Sequence, residues 1–110
     1  MTVSVGSLVL NVSDIARARE FWTKAHGYVA KPDEPALLAP QSGHGPRLHL
    51  DESDRTHLDL WVDRQDSDQQ AEVERLVSLG ATQVVDWDYP PDADFVVLAD
   101  TEGNLFCVIA

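Results

Sequence analysis

Apolar and polar residues alternate most regularly along Thr56-His57-Leu58-Asp59-Leu60-Trp61-Val62. As a strand this stretch sends Leu58, Leu60 and Val62 to one face and His57, Asp59 and Trp61 to the other. The apolar face predicts a covering helix, so the opposite face looks onto solvent or a concave site. A near copy, Ser7-Leu8-Val9-Leu10-Asn11-Val12, carries the same Leu-x-Leu-x-Val frame earlier in the chain. Each copy is followed by helical spacing, and the chain reads as a duplicated unit.

In the first copy a strand over 5–12 leads to Ser13 or Asp14, either of which can accept the orphan N–H groups that open a helix. No Glu or Gln follows at the spacing of a capping box. Ile15, Ala18, Trp22 and Ala25 recur at the interval of a buried stripe, which Phe21 widens. Gly27 is expected to end the helix in the left-handed conformation, with His26 in the last turn. Strands over 28–31 and 36–39 flank a Pro32-Asp33-Glu34-Pro35 turn. After the loop Pro40 to Pro46, Arg47-Leu48-His49-Leu50-Asp51 alternates again, with Arg47, His49 and Asp51 on the uncovered face.

The join Glu52-Ser53-Asp54-Arg55 is short and polar. Beyond the 56–62 strand, Ser67-x-x-Gln70 has the capping-box form, and Val73, Leu76, Val77 and Gly80, bordered by Leu79, mark the inner side of a second helix. Strands are expected over 81–87, 95–99 and 105–109. The acidic loop from Asp88 to Asp94, stiffened by Pro90 and Pro91, separates the first two and places Trp87 and Tyr89 either as a lid or at a solvated hairpin tip. The predicted order is strand, helix and three strands in both halves, with module boundaries near 3–52 and 56–110 of a single domain spanning 1–110.

Composition narrows the function. The 110 residues are enough for one domain with a real core. A formal net charge of -11, with only eight Lys and Arg, excludes a phosphate-binding surface and hence nucleic acid. The single cysteine, Cys107, has no intrachain partner and points to a reducing cytoplasm. No apolar run reaches the ~18 residues of a membrane span, and Met1-Thr2-Val3-Ser4 does not lead into a signal core, so no membrane partner is expected.

The duplicated modules, the opening Leu8-Val9-Leu10-Asn11-Val12-Ser13-Asp14 and the ending Asp100-Thr101-Glu102-Gly103-Asn104-Leu105-Phe106 together resemble the vicinal oxygen chelate superfamily. The nearest branch is the small glyoxalase-like and bleomycin-resistance-like one, and the resemblance covers essentially the whole chain. It implies an α+β fold of two tandem βαβββ modules whose curved mixed sheet surrounds a cleft, and a homodimer. In metal-dependent members it implies ligands at positions that fall here on Ser7, His49, His57 and Cys107. His57 matches the usual His. His49 stands where Glu is common, Ser7 replaces a His and Cys107 replaces a Glu.

Two functions follow as expectations. The first is a binding protein without a cofactor, holding a small aromatic or amphipathic metabolite among Trp61, Val9, Phe95 and Ile109, with His49, His57 and Arg47 at its polar end. The second is a lyase or isomerase on a small carbonyl or hydroxy compound, in which a divalent metal (Zn, Ni or Fe) at His49, His57 and Cys107 polarises an oxygen. Asp59 or Asp51 can add an oxygen ligand. His57, steered by Asp59, is the candidate general base, although strand neighbours at i and i+2 stand about 6–7 Å apart at the backbone. Against each reading stands a structural one: histidines satisfied by hydrogen bonds, a core or interface Trp61, and Cys107 as a small buried hydrophobe.

Overall fold

The computed structural model describes residues 3–110. Met1 and Thr2, where the leader expectation begins, lie outside the described residues. The chain is α+β and divides into two compact units, Gly6–Thr56 and His57–Ala110, the latter with the start of the first strand up to Val5. Among the described residues no helix is long and apolar enough to cross a membrane.

The N-terminal unit runs β1 (Val3–Asn11), α1 (Ile15–Ala25), β2 (Tyr28–Lys31), β3 (Glu34–Pro40) and β4 (Arg47–Asp51). β1 pairs parallel with β4, whereas β4 pairs antiparallel with β3 and β3 with β2. Leu8 lies beside Leu48 and Leu48 beside Leu38, so period-2 alternation delivers one leucine per strand to the same row. Leu38, Leu48 and Leu50 form the buried core, and Ile15, Ala18 and Trp22 of α1 cover it.

Four expectations for this unit are corrected. Phe21 is 61% exposed: the buried stripe is narrow and excludes it, although its ring meets Trp22 edge-on with centroids 5.0 Å apart. Gly27 does not have a positive φ, because the helix already ends at Ala25 and His26 is extended at φ -153°. His26 is thus the cap, where it stacks on Trp22 and meets Tyr28. The turn between β2 and β3 shrinks to Pro32-Asp33, since Glu34 and Pro35 already belong to the strand.

The missing capping box has a distant substitute. Asp14 Oδ1 accepts the Arg17 N–H at 3.0 Å, and Glu52, from beyond β4, accepts the Ile15 N–H at 2.9 Å. Two of the orphan donors of α1 are thereby satisfied.

The C-terminal unit repeats the plan as β5 (His57–Val62), α2 (Gln69–Ser78), β6 (Thr82–Gln83), β7 (Phe95–Ala99) and β8 (Leu105–Ile109). β5 pairs parallel with β8, β8 antiparallel with β7, and β7 antiparallel with β6. This is the strand order of the first unit, and duplication at the level of topology follows. Val73, Leu98 and Val108 make the core, with Val62, Leu76, Val96 and Phe106 packed against it. Gly80 takes φ +118° after the helix, as expected, and a Cβ there would stand 3.0 Å from Thr101 Cγ2.

Four expectations change here too. Asp68, not Ser67, caps α2 by accepting the Ala71 N–H at 2.8 Å. Ser67 instead donates its hydroxyl to Glu72 Oε2 at 2.7 Å. Val77 and Leu79 are exposed, so the inner side of α2 reduces to Val73 and Leu76, joined by a buried acid, Glu72. Leu58 is also exposed, at the start of β5. The strand expected over 81–87 survives only as Thr82–Gln83, because Tyr89 takes over the next ladder position. Its hydroxyl accepts the Val97 N–H at 2.9 Å and donates to the Val84 carbonyl at 3.4 Å.

Candidate functional site

Strand parity fixes which side chains share the face away from α2. Leu98, Val96, Phe106 and Val108 go to the core, so Phe95 and Val97 of β7, Cys107 and Ile109 of β8, and His57, Asp59 and Trp61 of β5 go to the other side. Register then orders them. Asp59 lies beside Cys107 and Cys107 beside Val97, while Trp61 lies beside Ile109 and Ile109 beside Phe95. One row is therefore polar with a thiol, and the next is aromatic and aliphatic.

His57 precedes Asp59 by two residues on the same face, and the side chains bridge the backbone spacing. His57 Nε2 stands 3.3 Å from Asp59 Oδ1, with the side chains 9% and 20% exposed. One donor atom from each of His57, Asp59 and Cys107 lies within 4.8 Å of the other two. Three groups of different chemistry thus converge from adjacent strands.

Trp61 is 40% exposed and keeps much of its indole open. Phe95 at the other end of its row is held by Tyr89, with ring centroids 5.5 Å apart. The hydrogen bonds of Tyr89 to Val84 and Val97 fix it to the sheet edge, so it is not a lid. Val97, absent from the sequence candidates, is buried beside Cys107, and the alternation Phe95, Val97, Ala99 was the signal for it.

The remaining candidates belong to the N-terminal unit. Ser7 lies beside Arg47 and Val9 beside His49, on the face away from α1. Ser7 and Val9 are buried, whereas Arg47 and His49 are half-buried. Asp51 is committed to a turn: its Oδ1 accepts from Ser53 N at 2.8 Å, Asp54 N at 2.9 Å and Ser53 Oγ at 3.0 Å. The Ser53 amide foremost, then the Asp54 amide, the Ser53 hydroxyl and the charge of His49, hold this carboxyl below its usual range against the opposing effect of burial. A carboxylate so engaged shapes the join and is a poor ligand.

Of the metal positions implied by the resemblance, His57 and Cys107 come together within the C-terminal unit. Ser7 offers a neutral hydroxyl in a buried place, and its register partner in the N-terminal unit is Arg47. Among the described residues, the donor groups brought together are His57, Asp59 and Cys107.

A family model described as a glyoxalase-like domain matches residues 7–109. No curated protein matches the chain. Among solved structures, a hypothetical protein, SA1046 from S. aureus, is similar at 17% identity over 97% of this chain and 96% of that one, with a TM-score of 0.39.

Proposed function

The chain belongs to the glyoxalase-like domain family, and on that premise we propose that it binds a small aromatic or amphipathic molecule on the helix-free face of its C-terminal unit. The observation that carries this reading is the in-register row of Trp61, Ile109 and Phe95 next to the polar row of Asp59 and Cys107. An apolar strip with a few polar groups at its border is the usual make-up of a small-molecule site. Trp61 supplies the largest open apolar surface of that row and one indole donor. His57 and Asp59 take the polar end of the ligand.

Tryptophan fluorescence tests this with indole, phenol and phenylpyruvate as probes. Saturable quenching is expected in the parent, and Trp61→Ala should raise Kd by roughly tenfold, the effect of losing about 1.4 kcal/mol. Trp61→Phe, which keeps an aromatic face, should bind close to the parent by calorimetry. A parent that answers none of the probes, or a Trp61→Ala variant with unchanged Kd, would overturn the reading.

A lyase or isomerase acting on a small carbonyl or hydroxy compound is the second reading, favoured by the 3.3 Å approach of His57 Nε2 to Asp59 Oδ1. In it the neutral imidazole takes a proton from carbon next to the carbonyl, and the Asp59 carboxylate stabilises the imidazolium that results. Deuterium exchange into dihydroxyacetone, followed by NMR, is the measurement. The parent should exchange faster than buffer, and His57→Ala should lose about 10²- to 10⁴-fold. Exchange no faster than buffer sinks this reading and leaves the binding one standing.

A further inference from the structure

We infer, on the footing of the small-molecule binding proposed for the C-terminal unit, that the ligand is a head-and-tail compound about 10 Å long, lying across the strands. Its polar head sits at β5, and its apolar tail crosses β8 and stops at β7. The class is that of the alkylphenols: one terminal polar group, a ring, and a short aliphatic tail.

Register sets the length. Trp61, Ile109 and Phe95 are successive partners across β5, β8 and β7. Neighbouring strands lie about 4.7–4.9 Å apart, so the strip they form runs about 10 Å across the sheet. A single ring covers only one end of it. Trp61 is 40% exposed, and Ile109 and Phe95 are half-buried, so each keeps surface for a ligand to cover.

Polarity sets the orientation, because it falls in one direction along two neighbouring rows. About 6–7 Å from the strip runs the row of Asp59, Cys107 and Val97, again one residue per strand. Its β5 member is a carboxylate with His57 Nε2 at 3.3 Å, its middle member is a thiol, and its β7 member is a valine 1% exposed. The strip itself passes from an indole, which carries an N–H, through isoleucine to phenylalanine. A polar head thus meets polar groups at β5, whereas at β7 it would lie between Phe95 and Val97 and go unpaired. An aliphatic tail gains toward β7, where each added methylene leaves water.

Tyr89 closes the far end. Its ring packs on Phe95 with centroids 5.5 Å apart. The Val97 N–H, donated to the Tyr89 hydroxyl at 2.9 Å, and the Val97 carbonyl, which accepts from Val84 N at 3.0 Å, both point away from β8. Tyr89 is therefore fixed on the outer edge of β7, and its ring cannot move aside without giving up a bond to the ladder. A tail longer than the strip gains nothing further.

Calorimetry on the full chain, with phenol and para-alkylphenols of increasing tail, tests this. In the parent Kd should fall about three- to fourfold per methylene, the gain of burying that group. The fall should level off at a tail of about five carbons, which carries the molecule across the strip. Phe95→Ala should leave the Kd of phenol within about twofold and lose most of the gain from the last methylenes. Trp61→Ala should weaken phenol and para-pentylphenol alike. Far-ultraviolet circular dichroism checks that each variant is folded. A second measurement needs no variant: in NMR of the parent with para-pentylphenol, the terminal methyl should show NOEs to the Phe95 and Tyr89 rings, and the phenol ring to Trp61. No gain with tail length, a gain that continues without levelling, an unchanged series in folded Phe95→Ala, or tail-methyl NOEs to Trp61 instead of Phe95 would each overturn the assignment. Phenol that binds through Trp61 with no gain from its tail overturns the length and leaves the binding reading standing, whereas a parent that binds no member of the series overturns both.

Discussion

Leu98→Ala is expected to lower stability by about 3–5 kcal/mol, in the upper part of the range for buried leucine truncations. Leu98 is 0% exposed and shares its core with buried Val73 and Val108. Its neighbours cannot close the gap, because they are themselves fixed: Val108 by pairing with Val96 and Leu60, and Val73 by the helix. A cavity that cannot collapse costs the lost transfer energy and the lost packing together. Domains of this size hold about 5–15 kcal/mol in total, so the loss removes a large share. Urea unfolding should show a much lower midpoint at unchanged slope. An unfolding free energy within about 1 kcal/mol of the parent would show that α2 does not seal this core.

Arg75→Ala should destabilise by about 2–3 kcal/mol, and more than Glu72→Met at the same helix face. The Glu72 side chain is 4% exposed, against 34% for Arg75. Glu72 Oε1 receives both Arg75 Nε and Arg75 Nη2 at 2.9 Å, and Oε2 receives the Ser67 hydroxyl at 2.7 Å. Removing the arginine leaves a buried charge short of its main counterion, whereas replacing the acid by an apolar side chain leaves a guanidinium that can turn to water. The first turn of α2 softens the loss, since the helix dipole favours a carboxylate there. Thermal unfolding of the two variants decides it, and a larger loss in Glu72→Met would mean that the ion pair, rather than its desolvation, governs the site.

How far the chain could be read in advance is seen by comparing particular residues. His57, Asp59 and Trp61 were assignable to one face, as were Phe95, Cys107 and Ile109, because a strand repeats every two residues whatever lies around it. Leu48 and Leu50 were legible as covered on the same ground, whereas Leu38 was assignable to a strand but not to a face. Phe21 was not: a helical stripe leaves its border residues undecided until the width of the neighbouring sheet is known, and this sheet covers only the Ile15, Ala18 and Trp22 line. Ser67 was misread as a cap because a hydroxyl serves equally as donor, and the buried Glu72 drew it away while Asp68 took the helix end. Glu72 itself carried no signal, for a charged residue on a helix reads as solvated until a partner is known.

The sequence alone determined the duplicated strand-helix-strand plan, the faces of the strands and the acidic character of the protein, since these depend on periodicity and composition within each short stretch. Tertiary structure decided which groups meet. That Asp59 stands beside Cys107, that His57 closes on Asp59 to 3.3 Å, and that Glu52 returns to cap α1 all depend on strand register and side-chain approach. Those quantities are set when segments far apart in the chain bury their apolar faces against one another, and no local pattern encodes them.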